Sequence, residues 1–223
     1  MIPMDMHLHS NYSDGKNSIE EMVCASIALG LKRICFTDHV WKTSEWLDAY
    51  FDEIDRCRIK YESKIDVMGG VEAKLLNTDG ELDVANDVYD RRVRIVGAMH
   101  RIPIGNGQYI RKSDIKSDLE AAKQMWIVAF RSFEKNIQMS CIAHPFSLLE
   151  SMDITKDDHE WWRSISRIVD NLSSDLEYNV KYNNDIVPKW FWERHKNKIV
   201  FASDSHSIED LVLRYHELKL LQV

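Results

Sequence analysis

Short apolar runs alternate with longer amphipathic segments along the chain, and this alternation constrains the fold more than any other feature. Such a pattern is typical of parallel sheets in which each strand is followed by a helix. The predicted strands span residues 2–7, 33–38, 66–73, 94–100, 140–144, 175–180 and 198–204. This series predicts an α/β fold, a parallel (β/α) barrel with one unit fewer than the common eight.

Helix signals occupy the segments between these strands. Ser18 is a predicted N-cap, Glu21 completes a capping box with it, and Gly30 marks the end of the helix. Three longer amphipathic segments are also predicted to be helical, namely residues 44–64, 113–136 and 207–221.

Residues 101–111 are predicted to form a loop. The pair Asn106–Gly107 within it is typical of a hairpin turn. A surface hairpin is the favoured interpretation, and a substrate lid is the alternative.

Length and charge limit the class of protein. A chain of 223 residues can bury one large core, and without a composition break or internal repeat we expect a single domain over residues 1–223. The net charge of −7 argues against a nucleic-acid-binding surface spread over the whole domain. No apolar run approaches the roughly 20 residues that cross a bilayer, so we expect no membrane partner.

Cysteine usage and the first residues bear on cellular location. The four cysteines, Cys24, Cys35, Cys57 and Cys141, show no CxxC spacing, and two of them lie in apolar runs. Such cysteines are typical of reduced, structural thiols, and disulfides are the less favoured alternative. The first predicted strand begins at residue 2, which leaves no room for a signal peptide. We therefore expect a cytoplasmic protein.

Each predicted strand ends close to residues that can bind a metal ion or another polar group. Because parallel barrels place their active sites at the C-terminal ends of the strands, we expect these side chains to converge. His7 and His9 are two positions apart, as are Asp204 and His206, so each pair projects to one side of its strand. The full set is His7, His9, Asp38, His39, Glu72, His100, His144, Glu177, Asn179, Asp204 and His206.

The distribution of histidines argues for metal. A single histidine at a strand end is more often a hydrogen-bonded structural residue than a ligand. Of the nine histidines, however, only His159, His195 and His216 lie elsewhere, in charged helical segments where we predict surface positions. Imidazoles and carboxylates are the usual ligands of zinc, iron and manganese. The combined set therefore predicts a multinuclear metal site.

The order of these motifs resembles that of a known family. In sequence the chain contains "HLH" at 7–9, "TDH" at 37–39, Glu72, the isolated His100 and His144, and "DSH" at 204–206. This combination resembles the PHP (polymerase and histidinol phosphatase) family over essentially the whole chain. The resemblance implies a distorted, TIM-like, seven-stranded (β/α)7 barrel with a di- or trinuclear metal centre at the C-terminal ends of the strands.

The resemblance also implies a set of ligands for two to three divalent transition metal ions (Zn, Mn or Fe). One metal would be held by His7, His9, Glu72 and Asp204. Glu72 would bridge to a second metal held by His100 and His144.

The resemblance implies a third metal ion, and one of its ligand positions differs from that of some family members. Its ligands would be Asp14, His39 and His206, and Asp14 takes the place of a histidine that some relatives have. Asp5 and Asp38 are predicted to lie behind the ligands and to orient ligand histidines.

Such a centre predicts the type of reaction. Three divalent ions would outweigh the charges of Asp14, Glu72 and Asp204, so the pocket would attract an anion such as a phosphoester. Divalent metals lower the pKa of a bound water from 15.7 to about 7, which supplies hydroxide at neutral pH. We therefore expect a metal-bridging hydroxide as the nucleophile, with Asp204 or His206 as the catalytic group that passes a proton to the leaving alkoxide.

Residues beside the predicted ligands are candidates for substrate binding. Lys74, Arg101 and Lys181 are each placed to contact a phosphate or, alternatively, to be solvated charges at the rim. Glu177 and Asn179 resemble the ExN element that family members carry near the substrate or behind the ligands.

The expected activity is hydrolysis of a small phosphorylated metabolite, a phosphate monoester of the histidinol-phosphate type. The predicted connections between strands are short and leave little room for an inserted nucleotide-specific domain. Nucleotide or oligonucleotide phosphoesters are an alternative substrate class, so nucleic acid is not the first choice of partner. Two further alternatives are a non-catalytic PHP scaffold stabilised by metal and a hydrolase of the amidohydrolase type. A homo-oligomer is possible, because the sequence does not determine the oligomeric state.

Overall fold

A sheet of parallel strands organises the fold. The computed structural model describes residues 2–105, 107–182 and 184–222. Its strands are β1 (Met4–Leu8), β2 (Arg33–Phe36), β3 (His39–Val40), β4 (Asp66–Lys74), β5 (Arg94–Ala98), β6 (Pro103–Gly105), β7 (Gln108–Tyr109), β8 (Cys141–Ile142), β9 (Asp175–Asn179) and β10 (Ile199–Ala202). The barrel strands pair in parallel in the order β1-β2-β4-β5-β8-β9-β10, and β3 adds to β4.

The sheet closes where β10 approaches β1. Leu8 and Ser205 form a parallel bridge, and the main-chain N–H of His9 donates to the Ser205 carbonyl at 3.0 Å. The N–H of Asp204 donates to the His7 carbonyl, also at 3.0 Å. The strands therefore form a nearly closed, seven-stranded parallel barrel, which confirms the predicted α/β, TIM-like fold.

Helices follow the strands and pack against the sheet through one large apolar core. They are α1 (Ile19–Leu29), α2 (Leu47–Tyr61), α3 (Asn86–Asp90), α4 (Lys112–Ser117), α5 (Leu119–Ser132), α6 (His159–Asn171), α7 (Lys189–Arg194) and α8 (Ile208–Leu220). Within the described residues, none of them combines the length and the apolarity that a membrane crossing requires. The capping box of Ser18 and Glu21 is confirmed, and Gly30 ends α1 with a φ of 88°.

The predicted single helix over residues 113–136 is wrong in its continuity. The chain forms α4 and α5 instead, separated at Asp118, whose φ and ψ of −148° and 88° are not helical. The Asp118 carboxylate accepts the N–H of Ala121 at 3.0 Å and caps the start of α5. The spacing of apolar residues does not reveal such a break. The break depends on a hydrogen bond to a polar side chain, which competes with the hydrogen bonds of a continuous helix.

The loop over residues 101–111 contains a hairpin. β6 and β7 pair in antiparallel fashion through Pro103 and Tyr109, and Gly107 between them has a φ of 71°. Asn106, the other residue of the predicted turn, lies outside the described residues.

One of the three histidines predicted at the surface is buried. His195 is 5% exposed, and its Nε2 and the Ser166 hydroxyl form a hydrogen bond of 2.9 Å. It lies four residues after Phe191, so the two share one helical face and their rings pack 4.8 Å apart. His159 and His216 are exposed, as predicted.

Gly70 allows β4 to approach β5 closely. A Cβ on Gly70 would lie 2.5 Å from the Arg94 carbonyl oxygen and 2.9 Å from the Arg94 Cβ, neither of which can move without moving β5. We expect Gly70→Ala to lower the free energy of unfolding by about 1–3 kcal/mol in urea denaturation. Gly69→Ala is the matched control, because its Cβ would meet only side-chain atoms of Phe51 and Ile54 at 3.2 Å. Equal losses in the two variants would contradict this explanation.

Candidate metal centre

The predicted ligands lie at the C-terminal ends of the parallel strands. His7 belongs to β1 and His9 follows that strand, while Glu72 lies near the end of β4. His39 begins β3 and pairs directly with Glu72 in the sheet register. The remaining strand-end ligands come just after β5, β8 and β10, and these are His100, His144, Asp204 and His206.

One group of ligand atoms consists of buried side chains from β1 and the end of β10. The Nε2 atoms of His7 and His9 are 2.9 Å apart, and His9 Nε2 is 3.1 Å from Asp204 Oδ1. Glu72 Oε2 lies 3.4 Å from His7 Nε2 and 3.6 Å from His9 Nε2. The structure therefore brings together the four side chains that the sequence assigns to the first metal.

A second group surrounds the buried carboxylate of Glu72. Glu72 Oε1 accepts a hydrogen bond from His144 Nε2 at 2.8 Å and lies 3.5 Å from His100 Nε2. Glu72 Oε2 lies 2.9 Å from His39 Nδ1. The carboxylate thus contacts different histidines through its two oxygens, which is the arrangement that a bridging ligand requires. His39, assigned by sequence to the third metal, reaches this group as well.

A third group is more open to solvent. The carboxylate oxygens of Asp14 lie 3.6 Å from His9 Nδ1, 3.6 Å from His39 Nε2 and 3.4 Å from His206 Nε2. The Asp14 side chain is 53% exposed. Asp14, His39 and His206 are therefore together, as the family pattern implies, and His9 joins them through its second nitrogen.

Hydrogen bonds on the far side of two rings determine which nitrogen faces the centre. His7 Nδ1 donates to Glu177 Oε1 at 2.7 Å, which leaves Nε2 directed at Asp204 and its neighbours. His206 Nδ1 donates to the main-chain carbonyl of Asp204 at 2.9 Å, which leaves Nε2 directed at Asp14. Partners of this kind set the tautomer and orientation of metal-binding histidines.

Buried atoms of the centre lack hydrogen-bond partners among the described residues. They are His9 Nδ1, His144 Nδ1 and Glu72 Oε2, the last of which lies 2.9 Å from His39 Nδ1 but outside hydrogen-bond geometry. A buried polar atom left without a partner costs about 1–3 kcal/mol. Convergent imidazole nitrogens and carboxylate oxygens are the donor set of zinc, manganese and iron. The residues present therefore fit divalent metal ions.

Backbone strain coincides with two of the predicted ligands. His144 and Asp204 have positive φ angles of 62° and 51°. A non-glycine residue in this left-handed region costs roughly 1–2 kcal/mol, and such residues concentrate at functional sites. The strain at these two strand ends is consistent with a role for the side chains in chemistry rather than in stability.

Carboxylates control the protonation of the buried imidazoles. Burial lowers the pKa of His7, but the carboxylates of Glu177 and Glu72 outweigh it and raise that pKa well above its usual value. Burial also lowers the pKa of His144, yet the hydrogen bond to Glu72 raises it overall. Burial raises the pKa of Glu72, and the charges of His7 and His144 bring it well below the usual range. Protons on the imidazoles balance the buried carboxylates, a role that metal ions would take over.

Metal binding is therefore expected to release protons and to weaken as pH falls. An imidazole binds a metal ion only when it is neutral. The raised pKa values of His7 and His144 keep both rings protonated at pH values at which a free histidine is already neutral. Each displaced proton lowers the apparent metal affinity about tenfold per unit of pH below these pKa values. Calorimetric titration of chelator-treated protein with Zn²⁺, in buffers of different ionisation enthalpy, measures the protons released. Zero protons released at neutral pH would contradict this expectation.

The cations predicted to bind phosphate lie in different surroundings. Lys181 Nζ donates to Asp204 Oδ2 at 2.6 Å, and its side chain is 30% exposed at the edge of the centre. Lys74 Nζ lies 5.2 Å from the centroid of the Tyr109 ring, and its side chain is 36% exposed. Arg101 is exposed and forms no ion pair within the described part of the chain.

Glu177 and Asn179 are buried behind the predicted ligands. Asn179 Nδ2 donates to Glu177 Oε2 at 3.2 Å, and the other oxygen of Glu177 accepts the hydrogen bond from His7. Of the two positions that the resemblance to the ExN element allows, these contacts favour the one behind the ligands over one against the substrate.

Asp5 and Asp38 bind loops and strands rather than histidine rings. Asp5 Oδ1 accepts the main-chain N–H groups of Ser203 at 3.0 Å and His7 at 3.3 Å. Asp38 Oδ1 accepts the Ser13 hydroxyl at 2.7 Å in the loop that carries Asp14. The two carboxylates therefore hold the backbone that presents the ligands, which differs from the ring-orienting role that the sequence predicts.

Two residues at the site escape the sequence analysis. The Tyr182 hydroxyl donates to Asp204 Oδ2 at 3.3 Å, and its ring lies 5.2 Å from that of His144. Trp41 is 48% exposed beside His39. Neither residue ends a predicted strand, and closeness in sequence to Lys181 and to His39 is the only signal that could have found them.

An open pocket of about 280 Å³ adjoins the predicted ligands. Its walls include the proposed ligands His39, Glu72 and His100 together with Trp41 and Lys74. The pocket can therefore admit a small molecule to the ligand atoms.

A family model matches nearly the whole chain. The model described as "PHP domain" covers residues 5–217. Every predicted ligand, from His7 to His206, lies within the matched residues.

Relatives of known sequence match shorter segments. DNA polymerase/3'-5' exonuclease PolX of Bacillus subtilis is 34% identical over 103 residues, which cover 43% of this chain and 18% of the relative. A probable phosphatase of Caldicellulosiruptor bescii is 28% identical over 154 residues, which cover 68% of this chain and 58% of the relative. The chain thus spans less than two thirds of the length of these relatives.

A solved structure shares the fold over the full length of the chain. It is histidinol phosphate phosphatase from Lactococcus lactis, complexed with zinc, L-histidinol and phosphate. The two structures superpose with a TM-score of 0.73, covering 99% of this chain and 92% of that chain at 20% identity. At this level of identity the likeness establishes a common architecture.

Proposed function

The chain belongs to the PHP domain family, and we propose that it is a metal-dependent phosphoesterase that hydrolyses a small-molecule phosphate monoester. The observation that carries the proposal is the convergence of buried imidazoles and carboxylates around Glu72, with ligand atoms left unpartnered. One sheet contains parallel strands from residue 4 to residue 202, which supports a single domain over residues 1–223.

We assign two to three divalent ions of Zn, Mn or Fe to this centre. When bound, such ions polarise phosphoryl oxygens and activate a water molecule as the nucleophile. The proposed ligands are His7, His9, Asp14, His39, Glu72, His100, His144, Asp204 and His206. Glu72 and His9 each reach more than one group of ligand atoms, which supports a multinuclear site.

Proton transfer to the leaving group is assigned to His206 in the form that holds two ions, because His206 Nε2 cannot carry a proton while it binds a third ion. Burial raises the pKa of Asp204, but the hydrogen bond from His9 and the charge of His7 outweigh it and lower that pKa. Asp204 therefore stays ionised and is a poor proton donor. His206 is 22% exposed and presents Nε2 beside Asp14, where a leaving oxygen has access.

Lys181 is the cation best placed to bind the phosphate. Its ammonium group lies at the edge of the centre and already contacts Asp204. A phosphate oxygen beside Asp204 would be within reach of the same ammonium group, which carries three donors. Lys74, which lines the open pocket with His39 and His100, is the second candidate for phosphate binding.

The indole of Trp41 in the pocket lining favours an aromatic leaving group. Trp41 presents an exposed indole next to His39, and planar rings stack favourably on such a surface. Histidinol phosphate, whose imidazole is planar, has the corresponding chemistry. The Lactococcus lactis structure of the same fold holds L-histidinol and phosphate, which makes this compound the first substrate to test.

A panel of phosphoesters tests the proposed function. The metal-loaded protein is assayed for phosphate release from histidinol phosphate, p-nitrophenyl phosphate, glycerol phosphate and nucleoside monophosphates. We expect hydrolysis of at least one small monoester. Absence of turnover with Mn²⁺, Zn²⁺ or Fe²⁺ on every compound would overturn the enzyme assignment and favour a non-catalytic metal-stabilised scaffold.

Trp41→Ala separates recognition of the leaving group from catalysis. Loss of one stacking partner is expected to raise KM for an aromatic monoester about threefold to tenfold, because aromatic pairs contribute about 0.5–1.5 kcal/mol. The KM for glycerol phosphate should be almost unchanged. Steady-state kinetics on both substrates measure the difference, and equal changes in both KM values would remove Trp41 from substrate recognition.

Nucleotide phosphoesters are the second candidate substrate class. The similarity of 103 residues to a DNA polymerase/3'-5' exonuclease is the observation that favours them. Preference for nucleoside monophosphates or short oligonucleotides in the same panel would support this class over small metabolites.

A further inference from the structure

The two carboxylate oxygens of Asp204 have different neighbours. Oδ1 lies 3.1 Å from His9 Nε2 and 3.6 Å from His206 Nδ1. Oδ2 instead accepts hydrogen bonds from Lys181 Nζ at 2.6 Å and from the Tyr182 hydroxyl at 3.3 Å. Oδ1 is therefore the oxygen presented to the proposed ligand histidines, and Oδ2 is held by two donors that follow β9.

The donors on Oδ2 determine how Asp204 presents its carboxylate. The main chain of this residue is fixed, because its N–H donates to the His7 carbonyl at 3.0 Å and its φ of 51° is strained. The carboxylate itself can still turn about the bond between Cβ and Cγ, a torsion with broad energy minima. Hydrogen bonds to Oδ2 oppose this rotation and keep Oδ1 beside His9.

Lys181 and Tyr182 differ in how freely they can leave Asp204. Lys181 has a flexible four-carbon stem, and its side chain is 30% exposed. The Tyr182 ring lies 5.2 Å from that of His144. Its main-chain N–H donates to the Asn179 carbonyl at 3.3 Å, and its carbonyl accepts Asn184 Nδ2 at 3.1 Å. The ammonium group can therefore change partner while the tyrosine hydroxyl stays in place.

The proposed substrate competes with Asp204 for the Lys181 ammonium group. A phosphate monoester carries a charge of about −1.5 to −2 at neutral pH, compared with −1 on Asp204. Charge-assisted hydrogen bonds to a phosphate beside Asp204 would therefore draw the ammonium group away from Oδ2. Tyr182 is then the remaining donor to Oδ2 within the described residues.

We propose that Tyr182 is a positioning residue, whose hydroxyl holds Asp204 Oδ2 when Lys181 turns to the substrate phosphate, so that Oδ1 stays directed at His9. The inference rests on the proposed function, because it takes phosphate as the group that draws Lys181 away. Tyr182 acts through Asp204 and requires no contact with the substrate. Lys181 and Tyr182 thus provide one movable and one fixed donor to the same oxygen.

The metal affinities of four proteins test this role without an assay of hydrolysis. They are wild type, Tyr182→Phe, Lys181→Met and the double variant, each titrated with Zn²⁺ against a chelator of known affinity. We expect Tyr182→Phe to weaken Zn²⁺ binding less than about threefold while Lys181 is present. In the Lys181→Met background the same change should weaken it about tenfold or more, as is typical when a ligand loses its supporting hydrogen bond. Comparison within each background cancels the effect of the lysine charge.

Two control variants match the changes in chemistry. Tyr109→Phe in the Lys181→Met background removes a hydroxyl that also donates at 3.3 Å, but to the Leu75 carbonyl. It should leave Zn²⁺ affinity unchanged. Lys189→Met removes the charge of a side chain that is 90% exposed on α7. In that background Tyr182→Phe should have the same small effect as in the wild-type protein.

Kinetics distinguish positioning from contact with the substrate. On a monoester that the protein hydrolyses, Tyr182→Phe is expected to lower kcat about tenfold at saturating metal, because Asp204 loses its remaining donor once the phosphate is bound. KM should change less than about threefold, since Lys181 still binds the phosphate. A higher KM with unchanged kcat would make Tyr182 a substrate contact and would overturn the proposal.

The affinity measurements give outcomes that differ from failure of the proposed function. Equal weakening of Zn²⁺ binding by Tyr182→Phe in both backgrounds, or no weakening in either, would overturn the positioning role. A larger effect in the Lys181→Met background supports it. Absence of turnover on every phosphoester would instead overturn the proposed function and the displacement of Lys181 by phosphate. Tyr182→Phe keeps the ring beside His144, so we expect this variant to fold.

Discussion

Glu72→Gln is expected to lower phosphoester hydrolysis by about a thousandfold or more. The carboxylate is 1% exposed and lies within 3.5 Å of four proposed ligands, which are His7, His39, His100 and His144. No single histidine of the centre lies that close to as many ligands. An amide has the same shape, but it lacks the charge that binds divalent ions and lowers the barrier by several kcal/mol. Phosphate release by the variant, with its bound metal measured by mass spectrometry, checks the expectation.

Glu81→Gln is the matched control for that variant. Glu81 follows β4, its side chain is 50% exposed, and it pairs with Lys42 away from the centre. We expect this control to retain full activity. If Glu72→Gln kept both its metal and more than a tenth of its activity while remaining folded by circular dichroism, Glu72 would not be a ligand.

Glu177→Ala is expected to weaken metal binding about tenfold to a hundredfold. Glu177 Oε1 accepts a hydrogen bond from His7 Nδ1 at 2.7 Å, and carboxylates in this position orient ligand histidines and raise their basicity. Without it, the His7 ring can rotate, and the direction of its Nε2 towards Asp204 is lost. Competition with a chelator of known affinity measures the change, and activity should return when metal is in excess.

A substrate-binding role for Glu177 would give a different pattern. In that case the variant would keep its metal affinity and raise KM even at saturating metal. Glu177→Gln distinguishes the two roles further, since the amide oxygen still accepts a hydrogen bond from His7 and should restore part of the metal affinity.

The barrel could be predicted because its signals are local. Each strand is a short apolar run with a polar end, and parallel pairing follows from the helices between the runs. The break at Asp118 and the burial of His195 could not be predicted in the same way. The first depends on a capping hydrogen bond to Ala121, and the second on packing against Phe191, and neither contact changes the apolar pattern.

The proposed ligands could be predicted from the sequence, but Trp41, Tyr182 and the grouping of the ligands could not. Strand ends and family motifs predict which side chains converge, and the structure brings the nine proposed metal ligands together. Their grouping depends on sheet register, because the pairing of β3 with β4 is what sets His39 beside Glu72. The partner of His7 lies 170 positions away at Glu177. No spacing rule in the sequence identifies that pair.

The central claim is that hydrolysis depends on metal ions held by this chain, and reconstitution of chelator-treated protein tests it most directly. Phosphate release from the best monoester of the panel is measured while Mn²⁺ or Zn²⁺ is added in steps of less than one equivalent. We expect no activity without metal and a rise that reaches its plateau at two to three equivalents per chain. Full activity in the chelator-treated protein, or no activity after that number of equivalents has bound, would contradict the claim.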